Sequence, residues 1–233
     1  MNARELIEDI RGGVPGKCDF CENETLDHQL HPEEAGDWAC IFCILRWDAT
    51  DMIADNKTMD TEQLNKLATD IHELAKAKGW HSFKETNGQF LTRAHNNMHG
   101  EISELWESNR AGTLGTLCDK AEKMREAGLE PLTCAEEELA DIVIRVLDSV
   151  KRMGSHIRYL QDDGTYAADI ADHVENLHNI ATETQMSMEL AVLQLVRECE
   201  CTAHDLGIDL WSAVARKHAF NATRPFRHGG KKA

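Results

Sequence analysis

The chain is short of the residues that interrupt helices and of those that favour sheets. Its 233 residues include only four prolines and two tyrosines, and Ala, Leu, Glu and Met are plentiful, which leans towards an all-α chain. Cations are scarce as well: 25 Lys and Arg face 41 Asp and Glu, for a net charge of −16. Phosphate backbones need neutralising cations, so this balance argues against nucleic acid as a partner, and it gives no footing on anionic lipid. No apolar run approaches the roughly 18–20 residues of a membrane span, so no membrane partner is expected. The opening stretch, MNARELIEDIRGG, is charged throughout and has no apolar core of a secretory signal. A cytoplasmic location follows as the expectation, and there eight cysteines read as metal ligands and buried thiols before disulfides.

Four of those cysteines have a metal-site spacing. Cys18-Asp-Phe-Cys21 is followed, after eighteen residues, by Cys40-Ile-Phe-Cys43. Two thiolate pairs, each from a tight turn, suit tetrahedral Zn²⁺; four-thiolate iron and disulfides are the competing readings. His28 and His31 lie in the intervening loop, but four cysteines suffice. Residues 1–58 are therefore expected to be a small zinc-binding module with a linker, its ion structural. This segment carries five Lys/Arg against thirteen Asp/Glu, which argues against a DNA-reading finger.

Residues 59–233 show helical periodicity. Leu64, Leu67, Ile71, Leu74 and Ala75 mark the inward face of a helix over about 62–78, with Thr61 as its cap and Gly79 as its end. Long helices are predicted over 89–109 and 136–150, with a short one near 117–127. Thr133 and Glu136 form a capping box. Further helices are expected over 166–183 and 186–205, and over 210–222, where Asp209 caps the start and Arg224-Pro225 ends the run. The remaining cysteines, Cys118, Cys134, Cys199 and Cys201, have no motif around them and read as buried thiols.

Two acidic pairs stand out. Glu138 and Asp141 sit three apart beside the apolar stripe Leu139, Ile142, Val143, Val146, Leu147 and Val150, and Glu101 and Glu104 repeat the arrangement beside Ile102, Leu105 and Trp106. If the two stripes pack together, four carboxylates converge, each raising the pKa of the others, and a divalent cation is their natural partner. Solvated acidic faces are the ordinary alternative. The end of the chain is the opposite in charge: residues 212–233 hold six Lys/Arg and no acid. Metal on one side and Lys/Arg on the other suit a polyphosphate.

Glu101-x-x-Glu104 followed by Glu138-Leu-Ala-Asp141, together with Leu-Gly-Ile-Asp-Leu from Leu206 and Lys217-His-Ala-Phe-Asn221-Ala-Thr-Arg224-Pro-Phe-Arg-His-Gly-Gly-Lys231, resembles the MazG-like all-α NTP pyrophosphohydrolases of the small phage and bacterial type. The resemblance covers roughly residues 60–150 and 204–231. It implies a helical bundle of the all-α NTP pyrophosphatase type, with Mg²⁺ held by Glu101, Glu104, Glu138 and Asp141. It also implies hydrolysis of a nucleoside triphosphate to monophosphate and pyrophosphate, and a homo-oligomer, dimer or tetramer. Lys217, Asn221 and Arg224 would contact the substrate, with Arg227 in the same basic ending and Asn97 one turn before Glu101; Glu104 would orient the attacking water. A phage-encoded chain would act in the host cytoplasm. The sequence departs from compact members by a longer gap between Glu104 and Glu138, by a helical insertion over about 152–203, and by the zinc module.

Three rivals stand beside this reading. The dimeric all-α dUTPases share the acidic pairs, and the insertion suits them. A zinc-stabilised adaptor with merely superficial acidic pairs is the non-enzyme alternative. A His-Asp hydrolase built on His204-Asp205 with His173 and His178 lacks a clear partner set.

Overall fold

The computed structural model describes residues 59–81, 84–157, 169–183 and 188–227, together with the backbone of four short strands nearer the N-terminus. The chain divides into two units, Met1–Asp55 and Asn56–Ala233. In the first, β1 (Gly16–Lys17) pairs antiparallel with β2 (Glu24–Thr25), and β3 (His28–Leu30) with β4 (Trp38–Cys40), placing Cys40 opposite His28. Cys18, Cys21 and Cys43 lie outside the described residues, and of Cys40 only the backbone is described. The linker expected at the end of that module also lies outside them.

The second unit is helical: α1 (Thr61–Ala77), α2 (Asn87–Ala111), α3 (Ala121–Glu126), α4 (Cys134–Arg152), α5 (Ile170–Glu183), α6 (Met188–Asp205) and α7 (Leu210–Thr223). Local chemistry sets the helix starts. Asp60 and Gln63 cap α1 reciprocally, Thr86 and Gln89 cap α2, and Thr133 and Glu136 cap α4. The cap of α1 is thus Asp60 where Thr61 was predicted; a carboxylate accepts the free N–H groups at least as well as a hydroxyl.

Helix α4 is the hub, packing against α1, α2, α6 and α7. Leu139, Ala140, Ile142, Val143, Val146 and Leu147 are fully buried along it, so its stripe is wider than a surface helix needs. Helices α5 and α6 are no appendage: α5 packs on α2, α6 packs on α4, and the two pack on each other. His173 joins them, with Nδ1 2.8 Å from Glu198 Oε1 and Nε2 2.9 Å from Asp205 Oδ2. His178 instead meets His99 on α2 at 2.7 Å. Of the residues named for a His-Asp hydrolase, His173 and His204 thus meet Asp205, whereas His178 has another partner. Cys118, Cys199 and Cys201 are buried and free, and Cys134 is partly buried.

Because α4 touches four helices, truncating its centre opens a cavity that none of them closes. Ile142→Ala is expected to cost about 2–5 kcal/mol, measured as a lower urea midpoint with unchanged slope.

Candidate metal centre

Packing of α2 on α4 brings the two acidic pairs to one seam. Carboxylate oxygens of Glu101, Glu104 and Glu138 lie within 4.8 Å of one another. Glu104 is exposed and Glu101 half-buried, while Glu138 is 7% exposed and its Oε2 is buried without a hydrogen-bond partner. Burial pushes the Glu138 carboxyl up to about 9, and Asp141, Glu104, Glu137 and Glu101 add to the shift by repulsion. Glu101 is raised too, by burial and then by Asp141, although Arg145 opposes the shift. Arg145 donates to Glu101 Oε1 from Nε at 3.0 Å and Nη2 at 2.8 Å.

Asp141 belongs to the same seam but is paired differently. Lys217 on α7 is 1% exposed; its Nζ lies 2.7 Å from Asp141 Oδ2 and also donates to Glu137. Glu137, itself 2% exposed, accepts a second ammonium from Lys120 at 2.8 Å. Glu137 was not singled out in the sequence. It is the middle of three consecutive glutamates, and only its distant lysines distinguish it from a solvated neighbour.

Several of these groups, though not the buried Glu137 and Glu138, border one cavity of about 300 Å³. Glu101, Glu104, Asp141 and Asp148 supply its acids; Lys120, Arg145, Lys217 and Arg224 supply cations, with Asn221 beside them. Ile71, Leu74, Ala75, Trp80 and Ile144 give it an apolar side. Along α4 the residues 138, 141, 145 and 148 follow helical steps of three and four, so Glu138, Asp141, Arg145 and Asp148 form one polar stripe. Asn221 Oδ1 is a second buried polar atom without a partner.

Two expected substrate contacts lie elsewhere. Asn97 borders a separate shallow depression with Gly88, Gln89, Thr92, Arg93 and Asn96; it precedes Glu101 by four residues but does not line the acidic cavity. Arg227 turns to the end of α1, donating its backbone N–H to Lys78 O at 2.9 Å and Nε to Gly79 O at 3.1 Å. Lys78 returns the contact through Nζ to the carbonyls of Ala222 and Arg224. Phe226 lies over Gly79, where a β-carbon would collide with its ring. This clasp fixes the backbone on both sides of Arg224. Lys231 lies outside the described residues.

The donor set fits a hard divalent cation. It offers carboxylate oxygens, one of them buried and unpartnered, which is the set Mg²⁺ takes alongside water and phosphate.

No family model, curated protein or solved structure matches the chain.

The geometry fixes a pH dependence. Glu138 titrates near its ordinary value when unfolded and near 9 when folded, so between about 4.5 and 9 the folded state binds the extra proton and stability falls as pH rises. Glu138→Gln should flatten that fall in chelator-treated protein, stabilising it more at pH 9 than at pH 5 by thermal denaturation. Equal effects at both pH values would remove the burial argument.

Proposed function

We propose that the chain is a Mg²⁺-dependent nucleoside triphosphate pyrophosphohydrolase, converting (d)NTP and water into (d)NMP and pyrophosphate. The observation that carries this reading is the buried Glu138, its Oε2 unpartnered, beside Glu101 and Glu104, two acids that share one cavity with Lys120, Lys217 and Arg224. Lys217 and Lys120 neutralise Glu137 and Asp141, whereas Arg224 has no such acid partner among the described residues and is the cation left at the cavity to meet an anion. A triphosphate carried with its metal uses both the glutamates and Arg224.

Glu101, Glu104, Glu138 and Asp141 would hold the ion, which when bound neutralises phosphate charge and acidifies water. Glu104 is the exposed acid of the set and is suited to accept the proton of a water attacking the α-phosphorus, as the bond to the bridging oxygen breaks and pyrophosphate leaves. Lys217 is preoriented by Asp141 and Glu137, and Arg224 is held by the clasp at α1. Asn221 offers its unpartnered oxygen to a sugar or base donor. In the N-terminal unit, the four cysteines are proposed to bind structural Zn²⁺.

One observation favours the dUTPase variant of the same chemistry: α5 and α6 cover faces of α2 and α4 within the chain, as a large intramolecular insertion should. A homo-oligomer of this chain would pair through other surfaces.

The test follows pyrophosphate release across NTPs and dNTPs with Mg²⁺, for wild type and Glu138→Gln. Release by wild type and a loss of several orders of magnitude in a folded variant are expected. Turnover of dUTP alone selects the dUTPase reading; no release from any nucleotide, or equal turnover in the variant, overturns the enzyme.

A further inference from the structure

Asp148, at the far end of the polar stripe, is engaged by two histidines from different parts of the chain. His72 on α1 places Nδ1 2.8 Å from Asp148 Oδ1, and His81, in the connection between α1 and α2, places Nε2 2.8 Å from the same oxygen. The imidazole centroids are 4.7 Å apart and tilted by 49°. Ligand-capable atoms of all three residues lie within 4.8 Å of one another. The side chains of His72, His81 and Asp148 are 12%, 8% and 19% exposed.

We propose that His72, His81 and Asp148 form a second metal site, distinct from the glutamate seam and selective for a borderline divalent cation of the zinc class. Two imidazole nitrogens and one carboxylate oxygen are a set that zinc and its neighbours take and that Mg²⁺ and Ca²⁺ do not. Three protein ligands leave a further position for water or another donor.

The surroundings agree. The second ring nitrogen of His81, Nδ1, is buried without a partner, so Nε2 is the nitrogen by which this ring is held. Coordination through Nε2 leaves the ring proton on the unpartnered Nδ1, a cost that the coordinate bond has to exceed. The ring also stands against buried Phe90 at 5.5 Å, an apolar neighbour that limits water around the site. Asp148 is in the state a ligand needs. Burial opposes its ionisation, but the two imidazoles outweigh it and keep the carboxyl below its ordinary range. Arg145, one turn away, is the other charged group that Asp148 influences, and its guanidinium is directed to Glu101.

The site's place gives it a consequence. Its ligands come from α1, from the connection after α1 and from the hub helix, and Asp148 also borders the cavity. A bound ion pins Asp148 at the cavity edge and ties residue 81 to α4, next to Trp80, which lines the apolar side. The inference needs no assumption about the reaction, because its readout is metal content.

The full chain is equilibrated with buffered free Zn²⁺ in excess Mg²⁺ and its zinc counted by elemental analysis, for wild type, Asp148→Asn and His72→Gln. Wild type is expected to hold one zinc per chain more than either variant, whatever the cysteines bind, and its melting temperature to rise with zinc by a margin the variants lack. Imidazole NMR of wild type supplies a check that does not depend on the variants folding: zinc should shift the His72 and His81 resonances. Equal zinc content in wild type and folded variants, zinc confined to the cysteines, or unmoved His72 and His81 signals would each overturn the proposal.

Discussion

The helical unit is organised around an electrostatic problem placed inside its hub. Helix α4 must be buried, since it supplies the apolar stripe on which four other helices pack, yet Glu137, Glu138 and Asp141 are carried inward with it. Carboxylates in that setting either take up protons or acquire cations. Glu137 has two lysines and Asp141 has one, whereas Glu138 has none among its hydrogen-bond partners. The cation that Glu138 lacks is the reason for reading the seam as a site rather than as a salt-bridged core. Removing Lys217 would leave Asp141 without its cation and Glu137 with Lys120 alone, which is more disruptive than never having buried the pair.

Helices α5 and α6 bear on the same problem. If the seam between α2 and α4 acts as proposed it needs rigid backing, because a shift of about 1 Å would weaken coordination and catalysis alike. Helix α5 packs on α2 and α6 on α4, and the two are joined through His173. Burial alone would lower this imidazole's pKa, but Glu198 and Asp205 outweigh burial and raise it. That contribution is full below the unfolded value of about 6.5 and is lost as pH rises through the folded one.

Local patterns revealed much of this and hid the rest for a definite reason. Helical periodicity and capping chemistry act over three or four residues, so the stripe of α4, the Thr133–Glu136 box and the two acidic pairs were all legible. Pairing across the bundle leaves no such trace. Arg145 finds Glu101 44 positions away, His72 and His81 find Asp148 at 76 and 67 positions, and Lys217 finds Glu137 at 80. Arg145, Asp148 and Glu137 therefore carry no local signal that sets them apart from solvated neighbours. Asn97 illustrates the opposite error. Four residues before Glu101 is one turn, but α2 advances to a different depression within that turn.

The clasp at the end of α1 has a consequence for how the protein is made. It joins residues 78 and 79 to 222, 224 and 227, contacts that span most of the helical unit. On the ribosome the acidic wall, carried by α2 and α4, is synthesised well before the basic wall carried by α7. If α2 and α4 pack before α7 is made, their glutamates meet while Lys217 and Arg224 are still unmade, and contacts of such long range are slow to close even afterwards. Solvent, protons and free cations are then what shields the nascent seam, so the ionic conditions of synthesis bear on the protein's assembly.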